Sequence, residues 1–476
     1  MSGFQGGWRV RAALTLAALM VAGCSQQPQY VRPDQPLPAN FAHDAGREEL
    51  RQPPSQWWRE FGSDELTDLV ETALRENHDL KAAFHRITQA ESLAGVAAGT
   101  LLPTLQYSTK ASVTSPKGGI GTMDATERSE RLYQVGLQAS YEVDLWGKNR
   151  SAMDAALATA QASLYDRETV AITLVSDVVV AYLNYLQATD RIAVANSNID
   201  NMRRVLVTVT KRAEIGEGTE LEQTQQQNAL EQALATLPVL ELFRSQQANR
   251  LALLTGRTPQ EVRLHGTSLE QLRIPEVAPG LPSQLLLRRP DVRKAEAGLV
   301  AANANVGVAR AKLFPSLTLT GERGYGAPYL SQMLTPAGAF YTAAAALGGV
   351  LFNNGQTQSE IDYSKARFAE LVESYRHSIL SSLRDVEDAL VAVRFTTDQE
   401  RAQRSALAVA RRAHNLSQRA YAVGMTDYLT VLDTERTQHT AEDNTVQARF
   451  SRLNAAVSLY KALGGGTEQS VVEEQG

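Results

Sequence analysis

Residues 133–143 read Tyr-Gln-Val-Gly-Leu-Gln-Ala-Ser-Tyr-Glu-Val, and apolar and polar or small side chains alternate along the whole stretch. Successive side chains of a strand point to opposite faces, so the stretch predicts a β-strand with one apolar face and one polar face. About ten residues of strand span about 33 Å, which is the length that a transmembrane barrel strand needs. A half-buried hairpin of a soluble protein would show the same pattern, and both interpretations stay open at this point.

Three further segments fill similar places in the sequence. Residues 104–113 alternate as regularly, whereas 316–326 and 339–352 alternate less cleanly because the run Ala343–Ala346 blurs the pattern. The sequence therefore predicts four strands. The smallest barrels need about eight strands, so these strands must pair with strands of other chains if they form a barrel. Two copies would supply eight strands, and three would supply twelve.

Very long helices follow the strands, at residues 148–212 and 356–423. They comprise about 65 and 68 residues and would each extend about 100 Å, too long for the interior of a globule. Shorter helices are predicted at 64–99, 219–255 and 288–312. The first two together match the length of one long helix, so stacked end to end they could form its antiparallel partner. Pro238 predicts a bend in the second of them.

The chain contains an internal duplication, because four short stretches recur in the same order with nearly constant spacing. The spacing is too long for a solenoid repeat. We place the first repeat at residues 63–256, a connecting segment at 257–287 and the second repeat at 288–464. The matching pairs are Leu102–Leu105 with Phe314–Leu317 (212 residues apart), Leu145–Asn149 with Leu351–Gly355 (206, a loose match), Arg212–Gly216 with Ala420–Gly424 (208) and Leu251–Gly256 with Leu459–Gly464 (208).

The N-terminus resembles a bacterial lipoprotein signal. Arg9 and Arg11 precede an apolar run, residues 12–22, that is too short to span a bilayer, which predicts a signal peptide at residues 1–23. The run ends in Val-Ala-Gly-Cys, so Cys24 is the predicted lipid attachment site; a cysteine there by chance is the alternative. Several acyl chains would anchor the chain firmly. Ser25 in place of an aspartate indicates sorting to the outer membrane.

The two ends of the mature chain are predicted to lack regular structure. Residues 24–62 contain six prolines and predict an extended polar tether, and the Gly-rich acidic residues 465–476 predict a disordered tail. Between them, no stretch is expected to be apolar enough for a membrane helix. Any transmembrane structure should therefore be built of strands.

Composition excludes several classes of protein. The 476 residues contain 47 Lys and Arg against 52 Asp and Glu, so the charge gives no reason to expect a nucleic acid partner. The single cysteine excludes disulfide frameworks and cysteine-based zinc sites. The seven histidines lack metal spacing, and neither a Gly-x-Ser-x-Gly motif nor a phosphate-binding loop is present. We therefore expect no enzyme, no catalytic residues, no metal and no cofactor.

Residues 287–296, Leu-Arg-Arg-Pro-Asp-Val-Arg-Lys-Ala-Glu, continue through Ala301–Ala304 to Phe314–Leu317. This stretch resembles the hallmark of the TolC-like outer-membrane efflux factors, in particular their lipoprotein branch. Trp57-Trp58, Phe61, Leu80 and residues 459–466 also match that family. Residues 288–296 equally suit a helix start, with Pro290 in the first turn and Asp291 near the positive end of the dipole. The motif is thus interpreted as structural.

The resemblance implies an α+β membrane protein. Its fold would be a trimeric 12-stranded β-barrel, with four strands from each chain, continuous with a long antiparallel helical α-barrel in the periplasm. It also implies a homotrimer in outer-membrane lipid, with a periplasmic adaptor and an inner-membrane pump, often proton-driven, as partners. The implied function is the outer-membrane exit duct of a tripartite efflux system for small amphipathic compounds such as drugs and toxic organics. A duct for exported peptides or proteins (type I secretion) and a lipid-anchored coiled-coil scaffold are the alternatives.

The turns between the long and returning helices hold the candidate functional residues. Gly216 and Gly424 suit helix C-caps, and Thr219 has the spacing of a capping box with Glu222. We expect these turns to contact the adaptor, through Gly216, Gly218, Thr219, Gly424 and Thr426.

A periplasmic aperture is the second candidate site. In some relatives a Tyr, an Arg and two Asp hold it closed. Tyr421 and Asp433 match the Tyr and the second Asp, but Thr426 and Thr430 occupy the places of the Arg and the first Asp, so a full salt-bridged lock is not expected. Asp427 lies one position from where some lipoprotein members have a constricting carboxylate; N-capping of the next helix is its alternative role.

Overall fold

A computed structural model describes residues 25–43, 54–114, 130–275, 282 and 285–465. The predicted signal peptide, Cys24 and most of the predicted tail lie outside the described residues. Short 3-10 helices lie at Trp57–Phe61, Leu269–Gln271, Leu330–Gln332 and Pro336–Gly338. The main elements are α1 (Asp64–Glu76), α2 (His78–Gly99), β1 (Thr104–Thr114), β2 (Glu130–Val143), α3 (Lys148–Glu214), α4 (Glu220–Leu254), α5 (Leu285–Arg288), α6 (Pro290–Ala311), β3 (Ser316–Ala327), β4 (Ala339–Gly348), α7 (Gln356–Ala422) and α8 (Tyr428–Ala462).

The prediction of one continuous helix at 64–99 is wrong in one respect, because the helix is interrupted at Asn77. Asn77 has extended backbone angles (φ −60°, ψ 129°) between α1 and α2. Its side-chain amide donates to the carbonyl oxygen of Leu254 at 2.9 Å, and its side-chain oxygen accepts from the backbone N–H of Leu80 at 3.0 Å. The buried asparagine thus caps α2 and ties it to the end of α4.

The long helices α3 and α7 each comprise 67 residues, which confirms that part of the prediction. The expectation that no stretch past the signal peptide is apolar enough for a membrane helix was wrong. An 18-residue window of α3 has a mean hydropathy of 1.6, but half of that window is buried inside the fold. A core helix has this composition too, and α3 supplies Val178, Leu183 and Leu186 to the core. The helix α4 continues through Pro238 without interruption.

The four strands form one antiparallel sheet in the order β1-β2-β3-β4. Thr104 pairs with Ser140, Val143 with Leu317, and Ser316 with Gly348. Paired residues share a face, and the odd-numbered face carries most of the large apolar side chains, which remain exposed: Leu105, Tyr107, Val113, Leu137, Leu319, Tyr325, Tyr341 and Leu347. The fourth strand ends at Gly348 rather than at the predicted residue 352, because β3, its neighbour, begins at Ser316.

The duplication is visible in backbone conformation as well as in sequence. Gly147 and Gly355 both have positive φ (71° and 82°) and directly precede α3 and α7. These two junctions are 208 residues apart. The loose match of Leu145–Asn149 with Leu351–Gly355, at a spacing of 206, therefore misaligns the two repeats by two residues. Positive φ suits glycine because it has no Cβ.

Two compact units can be distinguished along the chain. Within the described residues, the first includes 25–34, 86–163 and 295–375, and hence the sheet. The second includes 35–85, 164–294 and 376–465, and its core is rich in aromatic residues. Trp57 stacks on Tyr460 with ring centroids 4.8 Å apart and meets Phe61 edge-on at 6.1 Å. The Trp57-Trp58 and Phe61 motif therefore builds this core.

The N-terminal segment is extended, as its prolines predict, but it is packed and not a free tether. In the first unit, Arg32 forms a two-bonded ion pair with Glu296, both bonds 2.6 Å long. The carbonyl oxygen of Pro28 accepts a hydrogen bond from Asn303 at 2.7 Å. In the second unit, the Glu387 carboxylate accepts from the backbone N–H of Ala42 at 2.6 Å. We call residues 25–43 the N-terminal strap.

Candidate functional site

The predicted C-caps are confirmed, because both long helices end in the same hydrogen-bonded motif. After α3, Gly216 donates to the carbonyl oxygen of Ala213 at 3.1 Å and Glu217 to that of Arg212 at 2.9 Å. After α7, Gly424 donates to Tyr421 at 3.0 Å and Met425 to Ala420 at 2.8 Å. Both glycines have positive φ, 78° and 75°. This is the Schellman arrangement, which satisfies the last free carbonyls and turns the chain sharply.

The two returning helices begin differently. Thr219 and Glu222 form the predicted capping box, with bonds of 3.2 and 3.1 Å. The helix α8 is N-capped by Asp427, whose carboxylate accepts from the Thr430 hydroxyl at 2.6 Å and from its backbone N–H at 2.8 Å. These bonds lower the pKa of Asp427 below its usual value. N-capping, the alternative for Asp427, is thus the role seen within the chain.

Each turn exposes apolar side chains that the sequence reasoning did not single out. Met425 is 82% exposed, and its neighbour Val423 is also mostly exposed. Two of the predicted turn residues, Gly218 and Thr426, belong to the same turns. Exposed apolar side chains that form a contiguous patch mark an interaction surface, whereas scattered single ones do not. We call this set the turn surface: Ile215, Leu221, Val423, Met425 and Leu429.

Tyr421 lies in a contact cluster that joins the four helices next to the turns. The guanidinium of Arg212 lies 4.9 Å from the centre of its ring, and the ring of Tyr428 lies 5.5 Å away. Tyr428 is buried and donates to the Gln226 side chain at 2.6 Å. Burial raises the pKa of Tyr421, as does the nearby Glu222 carboxylate. Sequence reasoning missed Arg212, Gln226 and Tyr428, because they meet Tyr421 only through tertiary packing.

Asp433 is exposed, and in the described part of the chain its carboxylate has neither a hydrogen bond nor an ion pair. The structure therefore does not join Asp433 to Tyr421 within one chain. Thr426 and Thr430, which occupy the places of the Arg and the first Asp in those relatives, form no lock within the described residues either, since the Thr430 hydroxyl donates to Asp427.

Between α7 and α8 lies a buried to half-buried group of ionisable side chains, which we call the histidine cluster: His414 of α7 and Glu435, His439 and Glu442 of α8. Glu435 is 2% exposed and accepts a 2.6 Å hydrogen bond from Asn201 of α3. His439 lies between two carboxylates, with Nε2 3.8 Å from Glu435 and Nδ1 3.7 Å from Glu442. These are ion-pair distances, too long for hydrogen bonds. Glu442 also pairs with Arg411 of α7 at 3.0 Å.

The two histidines respond to this environment in opposite ways. Burial disfavours the charged ring of His439, but the Glu435 and Glu442 carboxylates outweigh it and raise its pKa above 6.5. Burial dominates at His414 of α7, whose pKa is lowered below 6.5 despite the same carboxylates. His439 is therefore stabilised in its charged form and His414 in its neutral form.

The hallmark motif has a structural role. Arg289 is nearly buried and donates to Asp291 at 2.6 Å, to Asp385 at 3.2 Å and to the carbonyl oxygen of Ala462 at 3.1 Å. It thereby joins the start of α6, the middle of α7 and the end of α8. Within the described residues, no group of three or more His, Cys, Asp or Glu is placed to hold a metal ion.

The model of a family described as outer membrane efflux protein matches residues 69–257 and 281–465. The pyoverdine export outer membrane protein OpmQ of Pseudomonas aeruginosa is 39% identical over 459 residues, which cover 95% of this chain and 96% of the relative. The toluene efflux pump outer membrane protein TtgI of Pseudomonas putida is 31% identical, covering 94% and 97%. Among solved structures, the outer-membrane channel OprN superposes with a TM-score of 0.88 at 28% identity, covering 93% of this chain and 99% of that one.

Proposed function

The chain belongs to the outer membrane efflux protein family, and from this membership we propose that three copies form the exit duct of a tripartite efflux system. The observation that supports this most strongly is the sheet. It has an exposed apolar face, and β1 and β4 are each paired on one side only within the described residues. A bilayer cannot satisfy unpaired backbone groups, so the edges require partners in the membrane. Three copies supply twelve strands.

A periplasmic adaptor is the proposed partner at the turn surface. The Schellman caps at Gly216 and Gly424 hold both turns rigidly and leave Val423 and Met425 accessible. An apolar protein partner would bury these side chains, at about 25 cal/mol for each Å² removed from water. A proton-driven inner-membrane pump completes the proposed assembly.

The proposed cargo is a small amphipathic organic molecule. Two relatives are named for the export of pyoverdine and for toluene efflux, and both of these compounds are small organic molecules. Of the two, the pyoverdine export protein is more similar to this chain, so a siderophore is the first substrate to test. Export of peptides is the alternative outcome of the same experiment.

The test is export by a strain lacking only this chain, measured for a fluorescent siderophore, a cationic dye and a secreted peptide. We expect the first two to accumulate in the periplasm and to be released again when the wild-type gene is restored. If the deletion strain loses only the secretion of the peptide, the proposed cargo is refuted. Met425→Glu should fail to restore export while still forming trimers, and Met425→Leu, which keeps the apolar surface, should restore it.

The narrow end of the duct is proposed to be formed by Tyr421, Asp427 and Asp433. Three chains would place three copies of each carboxylate around one axis, where like charges repel each other and attract cations. The accessible, unpaired carboxylate of Asp433 is available for a contact with a neighbouring copy.

A further inference from the structure

The exposed apolar face of the sheet carries a basic side chain well inside it, Arg323 of β3. In the four strands, the only other charged residue on this odd-numbered face is Arg131, at the start of β2. Arg323 is exposed, and a guanidinium keeps its charge throughout the pH range of proteins. Its cross-strand neighbours form one row across the sheet, which we call the arginine row: Tyr107, Leu137, Arg323 and Tyr341.

No carboxylate on this face neutralises Arg323. Within the described residues, Arg323 makes neither a hydrogen bond nor an ion pair. The four strands place no Asp or Glu on the odd-numbered face. The adjacent Glu322 lies on the opposite face, where its Oε1 would be 3.5 Å from a Cβ added at Gly136. Because every copy has the same sequence, the sheet of a second copy offers no acidic partner on this face either.

The height of Arg323 on the sheet places it at the outer boundary of the membrane in the proposed barrel. The helical part is periplasmic in this family, so the strand ends that join the helices are the inner ends. Leu317 lies six residues inward of Arg323, about 20 Å along the strand and about 15 Å in height at a tilt of about 40°. Leu313 and Leu351, both exposed, continue the apolar surface four residues beyond Leu317 and its partner Leu347. The apolar surface inward of Arg323 thus approaches the height of about 25 Å that an outer-membrane barrel presents to lipid.

The tyrosines of the same face give the same boundary. Tyr107 and Tyr341 of the arginine row are 83% and 85% exposed. Tyr325 and Tyr133 follow in the next two rows outward, and only Tyr141 lies inward of the arginine row. Outer-membrane barrels carry girdles of aromatic residues at the two membrane boundaries. An arginine is costly at the middle of a bilayer and is tolerated at such a boundary.

We infer that Arg323 binds the phosphate of an outer-leaflet lipid, with Tyr341 and Tyr325 as further hydrogen-bond donors. The inference rests on the proposed shared barrel and adds a lipid site to its outer surface. A guanidinium presents paired N–H groups that match two phosphate oxygens. Tyr341 lies directly opposite Arg323, and Tyr325 lies two residues farther along β3, so both phenols share its face. The phosphate supplies the negative charge that this face of the sheet lacks.

Small residues beside Arg323 leave room for the hydrocarbon of the same lipid. Gly321 follows Arg323 inward on β3, and Ala343 and Ala345 follow Tyr341 inward on β4. A Cβ added at Gly321 would come no closer than 4.0 Å to its nearest neighbour, the carbonyl oxygen of Thr342. The headgroup and the start of an acyl chain therefore have adjoining surfaces on one chain.

Native mass spectrometry of the delipidated protein in detergent counts the lipids that it binds during a titration. The probe is lipid A with its phosphates, and the matched probe is the same lipid after their removal. We expect the native chain to bind one phosphorylated lipid for each copy of Arg323. The phosphate-free lipid should bind roughly tenfold more weakly, since it cannot form charge-assisted hydrogen bonds with the guanidinium.

Variants of the site separate charge from shape. Arg323→Leu suits the apolar face, so trimers should persist while the affinity for the phosphorylated probe falls roughly tenfold. Arg323→Lys keeps the charge without the paired donors and should give an intermediate affinity. The matched control Lys110→Gln removes an exposed cation from the opposite face and should bind like the native chain. Ala343→Leu fills the room for hydrocarbon and should weaken binding although Arg323 is intact.

The loop between β1 and β2 contains two rival partners for Arg323, Asp124 and Glu127, which lie outside the described residues. The double variant Asp124→Asn with Glu127→Gln should bind the phosphorylated probe like the native chain. A gain in affinity would mean that a loop carboxylate neutralises Arg323, and it would overturn the inference.

Other outcomes separate the lipid site from the trimer. Trimers of Arg323→Leu that bind the phosphorylated probe as tightly as the native chain, or equal binding of the two probes, would overturn the lipid site and leave the proposed barrel in place. Monomers of the native chain throughout the titration would overturn the shared barrel, and with it the membrane height assigned to Arg323.

Discussion

Replacing His439 by Gln should lower the local stability of the N-terminal half of α8, to an extent that depends on pH. The substitution removes a charge held 3.8 Å from the Glu435 carboxylate and 3.7 Å from that of Glu442. Each attraction is about 4 kcal/mol at an effective dielectric constant of 20, and burial of the charges offsets much of it. Because Glu435 keeps its bond to Asn201 and Glu442 keeps Arg411, we expect a net loss of about 2 kcal/mol.

The pH dependence follows from the two opposite shifts in the histidine cluster. The raised pKa of His439 contributes stability that is fully present below pH 6.5 and is lost as the pH rises through its folded-state pKa. The lowered pKa of His414 contributes stability that is present above pH 6.5 and is lost as the pH falls toward its folded-state pKa. Local stability near the turns should therefore be greatest around pH 6.5.

Hydrogen exchange of the amides in residues 428–442, corrected for the intrinsic rate at each pH, measures this local stability. At pH 6, His439→Gln should reduce protection by about 30-fold, which corresponds to 2 kcal/mol. The reduction should become smaller as the pH rises through the raised folded-state pKa of His439. The matched variant His414→Gln should instead abolish the loss of protection that the native chain shows as the pH falls below 6.5. If His439→Gln still loses protection toward alkaline pH as the native chain does, the reasoning is refuted.

Three further predictions concern the anchor, the hallmark motif and the aperture. Labelled palmitate should enter the chain through Cys24 and not enter Cys24→Ser; label retained by that variant would contradict the lipoprotein signal. Arg289→Ala leaves Asp291 and Asp385 without their shared donor and should lower the free energy of unfolding by about 3 kcal/mol, with partial recovery in Arg289→Lys, measured by thermal unfolding. In planar bilayers, Asp433→Ala and Tyr421→Phe should raise single-channel conductance. Asp427→Ser keeps a helix-capping oxygen but removes the charge, so it should reduce cation preference while preserving the fold; parental behaviour of all three variants would mean that other residues close the aperture.

Features encoded by neighbouring residues could be predicted from the sequence. The alternation in residues 133–143 specifies β2, and the Gly216, Gly424 and Thr219–Glu222 caps follow from local hydrogen bonding. The interruption at Asn77 could not be predicted in this way, because its partner is the Leu254 carbonyl, 177 residues away.

The contacts of the candidate sites were unpredictable for the same reason. Tyr421 could be proposed from its match to the aperture Tyr of the family it resembles, but Arg212 and Tyr428 reach it only when helices from both repeats pack together. The strap was predicted as a tether because prolines specify an extended backbone. They do not specify whether that backbone has a groove to occupy, and here Asn303 and Glu296 of α6 provide the bonds that hold it.

The strap also holds residue 25 beside one end of the sheet. Ser25 contacts the chain at Gly147: its Oγ would lie 3.1 Å from a Cβ added there, directly between the end of β2 and the start of α3. A fluorescent label in place of Ser25 would therefore report whether this end of the sheet lies at a membrane surface or in water.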